Sequence, residues 1–282
     1  MLIGNAPCSW GVYYPDSDRI TPDAYLDQVA AAGYRGTELG PFGFLPTDPS
    51  ALADALARRD LTRIGAAHVP TFADPAAAPE LRATLRRIGA LLAATGAPHL
   101  VIMDESSWYP PGSRRELDAA SWSAMTALLG EAKQLLADEH GVRLTFHPHV
   151  GTAVEFEPQI DRLLAETDLD LCFDTGHHAF WNQDPLAYMA RVRDRIGYMH
   201  LKNVDPAVRA RVLDGSLGLD AAFAAGAMCP LPDGAVDIPA VMDWLRAEGF
   251  DGPVVVEQDL NETAAETPAA LARRNYEFIT SL

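Results

Sequence analysis

The chain has 282 residues, of which 22 are Lys or Arg and 39 are Asp or Glu, so its formal net charge is −17. A protein this acidic is poorly suited to bind nucleic acid or an anionic membrane surface, because those partners are recognised mostly through Lys and Arg. Three scattered cysteines do not suggest a disulfide framework. The N-terminal segment predicts no signal peptide, and no apolar run is long enough for a membrane span. We therefore expect a cytoplasmic protein.

Short apolar runs alternate with longer amphipathic stretches along the whole chain. The predicted strands are residues 2–6, 36–39, 61–69, 98–103, 142–147, 169–173, 196–201 and 253–257. The predicted helices are residues 21–33, 48–60, 79–95, 117–139, 158–166, 185–194, 238–248 and 267–279. In the first helix, Thr21 can cap the N-terminus, Pro22 suits the first turn and Gly33 ends the helix.

This alternation predicts an α/β fold with a parallel sheet. The strands are nearly continuous apolar runs, such as the three valines at 254–256, which is typical of strands buried on both faces. Eight strand–helix units favour one (β/α)8 TIM barrel spanning residues 1–282. An open doubly wound sheet would need a Gly-rich phosphate turn after the first strand, and the sequence there does not supply one.

Polar or ionisable residues end nearly every predicted strand. They are Asn5, Glu38, His68, Asp104, Glu105, His147, His149, Asp174, His200 and Glu257. In a TIM barrel these ends line the active site. Burying unpaired carboxylates is costly, so a shared cation is the simplest compensation. Carboxylates with histidine favour Mn²⁺, Co²⁺, Mg²⁺ or Fe²⁺, with Zn²⁺ possible.

Each of these residues also has a structural interpretation. Asp174 can cap a following helix, and His200 alone can be a core histidine bonded to the backbone. Glu257 follows three valines and must cap a helix, pair with a cation or bind a metal. His147 and His149 share one face of a strand, which suits either metal ligation or hydrogen bonds to a substrate. Cys172 lies within a strand and is predicted to be core.

The order of these motifs resembles the xylose isomerase-like TIM-barrel superfamily, and it is most similar to the inosose dehydratase branch. The resemblance rests on residues 147–152 (HPHVGT), 173–177 (FDTGH) and 256–259 (VEQD). It implies a divalent metal, with Mn²⁺ or Co²⁺ favoured, held by Asp174, His200, Glu257 and a first ligand. We favour Glu155 as that ligand over His147, although His147 occupies the strand tip where the family has Glu.

The resemblance further implies a lyase or isomerase acting on a polyhydroxylated ketone, with dehydration of 2-keto-myo-inositol (inosose) as the favoured reaction. The alternative is a ketose or sugar-phosphate epimerase or isomerase. Glu257 or Glu155 would act as base, with acid assistance from one of three histidines: His147, His149 or His177. The predicted substrate contacts are Glu38, His68, His149, His177 and Lys202. Homo-oligomers are common in the superfamily, so one is possible here.

Two further features have open interpretations. About thirty residues connect the seventh strand to Ile238, and this connection is either a surface excursion or a lid that contacts substrate. Aromatic residues follow three strands and either pack on a sugar ring or close the barrel mouth. The clearest of them are Trp10, Tyr13, Tyr14, Trp108 and Tyr109.

Overall fold

A barrel of parallel strands surrounded by helices forms the body of the protein. The computed structural model describes residues 1–72, 74–105, 116–261 and 264–282. The strands in these residues are β1 Ile3–Asn5, β2 Gly36–Thr37, β3 Thr62–Arg63, β4 Gly65–His68, β5 His99–Ile102, β6 Arg143–Phe146, β7 Asp170–Asp174, β8 Ile196–Leu201, β9 Asn203–Val204, β10 Met228–Cys229 and β11 Val254–Val256. The α-helices are α1 Pro22–Ala32, α2 Pro49–Ala57, α3 Ala78–Thr95, α4 Ala119–His140, α5 Glu157–Glu166, α6 Thr175–Phe180, α7 Pro185–Val192, α8 Pro206–Leu213, α9 Leu219–Ala224, α10 Ile238–Ala247 and α11 Pro268–Thr280.

The main sheet closes on itself through the third predicted strand. Its order is β3-β2-β1-β11-β8-β7-β6-β5-β4, and neighbouring strands are parallel. β3 and β4 are separated only by Ile64, whose backbone N–H donates to the carbonyl of Thr37 at 2.9 Å. The N–H of Leu39 donates to the carbonyl of Gly65 at 2.8 Å. Residues 62–68 therefore join both edges as one strand, and the predicted (β/α)8 barrel is confirmed.

The barrel interior is filled by a small apolar cluster beneath the polar strand ends. It consists of Ala6, Ile64, Val101, Cys172, Tyr198 and Val255. Cys172 is fully buried, as predicted for a core residue. A larger cluster fills the space between the barrel and the surrounding helices. The polar residues at the strand ends thus lie above a packed apolar layer.

Local capping signals place most helices where the sequence predicts them. In α1 the Thr21 hydroxyl accepts from the N–H of Ala24, and Gly33 ends the helix with a φ of 109°. The sequence analysis missed α6, which begins directly after β7, because Asp174 both ends the strand and caps the helix. None of the helices in the described part of the chain is long and apolar enough to cross a membrane.

The long connection after β8 is an ordered excursion containing α8, α9 and the antiparallel pair β9–β10. The side chain of Asn203 fixes its later part, because its Nδ2 donates to the carbonyls of Leu231 at 2.7 Å and Val236 at 3.1 Å. Its Oδ1 accepts from the backbone N–H of Val204 and of Val236. The residues around β10 are therefore held against the barrel.

Candidate metal centre

The inner face of β8 carries three polar side chains at successive depths. Tyr198, His200 and Lys202 alternate along the strand and its extension, so they point to the same side. All three are buried. Tyr198 belongs to the apolar floor, His200 lies above it, and Lys202 lies nearest the mouth. This single strand therefore supplies an imidazole and an ammonium group to the end of the barrel.

Side-chain donors from the ends of β6, β7, β8 and β11 converge around His200. His147 Nε2 lies 3.4 Å from Asp174 Oδ2, which lies 3.9 Å from His200 Nδ1. His200 Nδ1 lies 3.3 Å from Glu257 Oε2. Ligand atoms that share one ion at metal–ligand distances of about 2.0–2.2 Å are separated by about 3–4 Å. The three distances that link neighbouring donors in this cluster, 3.4, 3.9 and 3.3 Å, lie in that range.

Three of these donor atoms lack hydrogen bonds. Within the described ranges, His147 Nε2, Asp174 Oδ2 and His200 Nδ1 have no hydrogen-bond partner. By contrast, Asp174 Oδ1 accepts from the N–H groups of Gly176 and His177, both at 2.8 Å. Asp174 thus caps α6 with one oxygen and directs the other into the cluster. Buried polar atoms are rarely left unsatisfied, so this donor set fits a divalent cation with affinity for nitrogen and oxygen.

Two groups of three buried residues meet the distance requirement for an ion within the described residues. They are His147, Asp174 and His177, and Glu38, His200 and Glu257. In the second group, Glu38 Oε2 lies 3.1 Å from His200 Nε2, whereas Glu257 faces Nδ1. The two ring nitrogens point away from each other, so one ion cannot bind His200 and both carboxylates. The donors linked by short distances on the Nδ1 side of His200 are His147, Asp174 and Glu257, and with His200 they form the candidate ligand set.

The ammonium of Lys202 lies among the carboxylates of the cluster. Its Nζ is 3.1 Å from Glu257 Oε2, 3.3 Å from Asp259 Oδ1 and 3.6 Å from Asp174 Oδ2. Burial opposes ionisation of Asp174, but Lys202 and His177 outweigh it and hold its pKa well below the usual range. Burial also opposes ionisation of Glu257, but His200 and Lys202 bring its pKa to about 2. Both carboxylates are therefore ionised and available to a cation at neutral pH.

His149 and His177 form a pair beside this cluster. Their ring centroids are 3.7 Å apart, and Lys202 Nζ lies 3.0 Å from His177 Nε2. Burial, followed by the charges of His147 and Lys202, lowers the pKa of His149 to about 3. Burial also lowers the pKa of His177, with contributions from His149 and Lys202. Both imidazoles are therefore neutral at pH 7.

Glu155, the favoured first ligand in the sequence analysis, is held elsewhere. Its Oε2 accepts from the backbone N–H of Gly151 at 2.9 Å and from the indole of Trp181 at 2.7 Å. Neither ion-binding group drawn from the described residues contains it. His147, which directly follows β6, takes the corresponding place beside Asp174. His147 rather than Glu155 is therefore the first ligand in the proposal below.

The other predicted substrate contacts have different surroundings. Glu38 is 1% exposed and lies beneath His200, with Tyr198 donating to its Oε2 at 2.9 Å. His68 ends β4, and burial lowers its pKa to about 4. His149, His177 and Lys202 lie together at the cluster. Direct contact with substrate therefore fits these last three better than it fits Glu38.

Sequence reasoning missed two aromatic residues near the centre. Phe223, from α9, stacks on Phe180 with ring centroids 5.8 Å apart, and its centroid lies 6.5 Å from that of His177. Arg209 of α8 donates to the carbonyl of Ala179 at 3.1 Å. The excursion is thus fixed to α6 and brings an aromatic ring beside the histidine pair. Its unusual length was the available signal.

The predicted aromatic wall is only partly present at the mouth. Trp10 is buried and packs edge-on against Tyr25. Tyr13 and Tyr14 are exposed, and the hydroxyl of Tyr14 donates to Glu105 Oε1 at 2.9 Å. The predicted aromatic pair at 108 and 109 lies outside the described residues.

A closed parallel barrel with acidic and imidazole donors at the carboxyl ends of its strands defines a TIM-barrel protein with a candidate metal centre. The chain belongs to the xylose isomerase-like TIM barrel family, whose model matches residues 26–282. The resemblance inferred from the late strand motifs is therefore confirmed.

The relatives and solved structures extend this comparison. The rhizopine catabolism protein MocC of Rhizobium meliloti is 33% identical over 260 residues, covering 89% of this chain and 79% of the relative. The inosose dehydratase of Geobacillus kaustophilus is 28% identical over 297 residues, covering 99% of this chain and 94% of the relative. The structure of the IOLI protein with a binding zinc atom has a TM-score of 0.75 at 14% identity, covering 100% of this chain and 97% of that one. L-ribulose 3-epimerase has a TM-score of 0.74 at 18% identity, covering 100% and 94%. The two solved structures show a shared fold.

Proposed function

We propose that this protein is a divalent-metal-dependent lyase acting on a polyhydroxylated ketone, with dehydration of 2-keto-myo-inositol as the favoured reaction. The observation that carries this proposal is the convergence of buried donors from four strand ends, three of them without hydrogen-bond partners in the described part of the chain. The similarity to inosose dehydratases over nearly the whole chain supports the substrate class.

His147, Asp174, His200 and Glu257 would hold the ion. His147 is preferred to Glu155 because its Nε2 points at Asp174, whereas Glu155 Oε2 accepts two hydrogen bonds outside the cluster. A bound divalent ion would act as a Lewis acid on the ketone oxygen of the substrate. The remaining chemistry falls to the protein side chains around it.

Dehydration removes a proton from the carbon beside the ketone and expels the hydroxyl of the next carbon as water. The Lys202 ammonium donates to His177 Nε2, so that nitrogen carries no proton and is an acceptor. The ammonium of Lys202 lies beside this nitrogen and can donate a proton to the departing hydroxyl. We therefore assign the base role to His177, with Glu257 as the alternative.

The test is turnover by protein that has been stripped with a chelator and reloaded with Co²⁺ or Mn²⁺. With 2-keto-myo-inositol, reloaded protein should produce the ultraviolet absorbance of a conjugated dione, and stripped protein should not. Asp174→Asn should lose this activity, whereas Asp243→Asn, in an exposed ion pair with Arg246, should retain it.

Two results would count against the proposal. Full activity after exhaustive metal removal would refute the metal role. A flat absorbance trace, accompanied by a new sugar epimer on chromatography with a panel of ketoses, would favour the epimerase alternative on the same centre. Both reactions begin by removing a carbon-bound proton. Dehydration then expels the hydroxyl of the next carbon as water, whereas epimerisation returns a proton to the opposite face of the same carbon.

A further inference from the structure

Glu38 lies on the edge of the His200 ring that faces away from the proposed ion. Its Oε2 is 3.1 Å from His200 Nε2, whereas Glu257 Oε2 is 3.3 Å from His200 Nδ1. Asp174 Oδ2 is also on the Nδ1 side, at 3.9 Å. The two ring nitrogens of His200 therefore have different surroundings. Nε2 faces Glu38 alone, whereas Nδ1 faces Glu257 and Asp174.

We propose that Glu38 is a positioning residue for the metal centre, and this inference rests on the proposed metal site. Glu38 Oε2 accepts from the Tyr198 hydroxyl and faces His200 Nε2, so the proton of a neutral, ligating His200 is on Nε2, bonded to Glu38. The lone pair of Nδ1 is then directed towards Asp174 and Glu257. A carboxylate on the far nitrogen of a ligating histidine fixes the tautomer and the ring orientation and raises the basicity of the ligand.

Tyr198 holds Glu38 in this position. Its hydroxyl donates to the same Oε2 at 2.9 Å, and Tyr198 precedes His200 by two residues on the inner face of β8. Tyr198 and Glu38 are 0% and 1% exposed. Because no bulk water reaches the pair, the two donors to Oε2 replace the lost hydration of the carboxylate. We therefore assign Glu38 to the support of His200 rather than to direct contact with a substrate.

Co²⁺ titration followed by visible absorption tests this role without relying on turnover. Glu38→Ala should weaken Co²⁺ binding by about 10- to 100-fold, the usual cost of losing such a partner. Glu38→Gln retains a hydrogen-bond acceptor without the charge, so its affinity for Co²⁺ should lie between those of the wild type and Glu38→Ala. The absorption bands at saturating Co²⁺ should match those of the wild type in all variants, because the four ligands are retained.

Two further variants control for unspecific effects. Tyr198→Phe should weaken Co²⁺ binding less than Glu38→Ala, because the carboxylate keeps its bond to His200. Glu131→Gln removes a carboxylate that pairs with Arg82 on the surface, and its Co²⁺ affinity should equal that of the wild type. If Glu38→Ala does not fold, the isosteric Glu38→Gln carries the test, with a decrease of at least about threefold expected.

Three outcomes would overturn the inference, and they are distinguishable. Wild-type affinity in both Glu38 variants would show that Glu38 does not act through His200. Altered bands at saturation would show that Glu38 is itself a ligand. If the wild-type protein does not bind Co²⁺, the proposed metal function fails, and the positioning role fails with it.

Discussion

Replacing Lys202 by methionine tests whether its ammonium offsets the buried carboxylates. Its Nζ lies 3.1 Å from Glu257 Oε2, 3.3 Å from Asp259 Oδ1 and 3.6 Å from Asp174 Oδ2. Methionine preserves most of the apolar stem, so the main loss is the charge. Removing one partner of a buried ion pair destabilises a protein by about 3–5 kcal/mol. We expect a loss of this size for Lys202→Met in the metal-free protein.

The corresponding change in Tm follows from the size of the chain. Unfolding entropies of about 2.1 cal/mol/K per residue give about 0.6 kcal/mol/K for the whole chain, so Tm should fall by about 5–8 °C. Calorimetry of chelator-treated protein measures this directly. Lys133→Met, at the only other lysine of the sequence, is the matched control. Its surface pair with Asp168 should contribute at most about 1 kcal/mol.

Saturating Co²⁺ should narrow the Tm difference between Lys202→Met and the wild type. The ion would supply positive charge to Asp174 and Glu257, which the variant leaves uncompensated. A metal-free Tm equal to that of the wild type would refute the claim that the ammonium offsets these carboxylates. A difference that Co²⁺ leaves unchanged would show that the ion does not bind beside them.

Three other measurements test the centre. His147→Ala should weaken Co²⁺ binding by more than about tenfold and Glu155→Gln by less than about threefold; the reverse order in a Co²⁺ titration would make Glu155 the ligand. The pKa of Glu257 is lowered from 4.5 to about 2 in the folded protein. The ionised form therefore stabilises the fold at pH values above 4.5, and this stabilisation is lost as the pH falls to the folded-state pKa of about 2. The urea midpoint of metal-free protein should therefore fall between pH 4.5 and 2, and Glu257→Gln should flatten this dependence; an unchanged profile would contradict it. Phe223→Ala should raise the KM for the ketone about fivefold or more through lost apolar contact without changing Co²⁺ affinity, and an unchanged KM would place the ring outside the substrate site.

Local signals were sufficient to predict most of the barrel. The N-cap Thr21 and the C-cap Gly33 each interact with residues within one helical turn, and they mark the two ends of α1 in the structure. β8 has the predicted bounds because its apolar run ends abruptly. The helix α6 was not predictable in this way. Its cap, Asp174, is also the last residue of β7, so no turn separates the two elements.

The choice between Glu155 and His147 depends on loop geometry that residue types do not reveal. Gly151 adopts a φ of 84°, which turns the chain after β6. Glu155 then meets the N–H of Gly151 and the indole of Trp181, which follows the helix that the sequence analysis missed. The contacts of Glu38 could not be predicted for a related reason, because its partners Tyr198 and His200 are about 160 residues away in sequence and meet it only across the closed barrel.

The charge balance at the mouth of the barrel gives a reason for a divalent ion that does not depend on the comparisons. Asp174, Glu257 and Asp259 all contact Lys202, so three negative charges surround one positive charge. When these four groups are ionised and His200 is neutral, as a metal-ligating histidine must be, their charges sum to −2, in a region where uncompensated charge is costly. A divalent cation would bring this sum to zero. Glu38 stands apart from this balance, because its donors are Tyr198 and His200. The carboxylates that would bind the ion therefore lie on the Nδ1 side of His200, and the carboxylate that would orient this histidine lies on the Nε2 side.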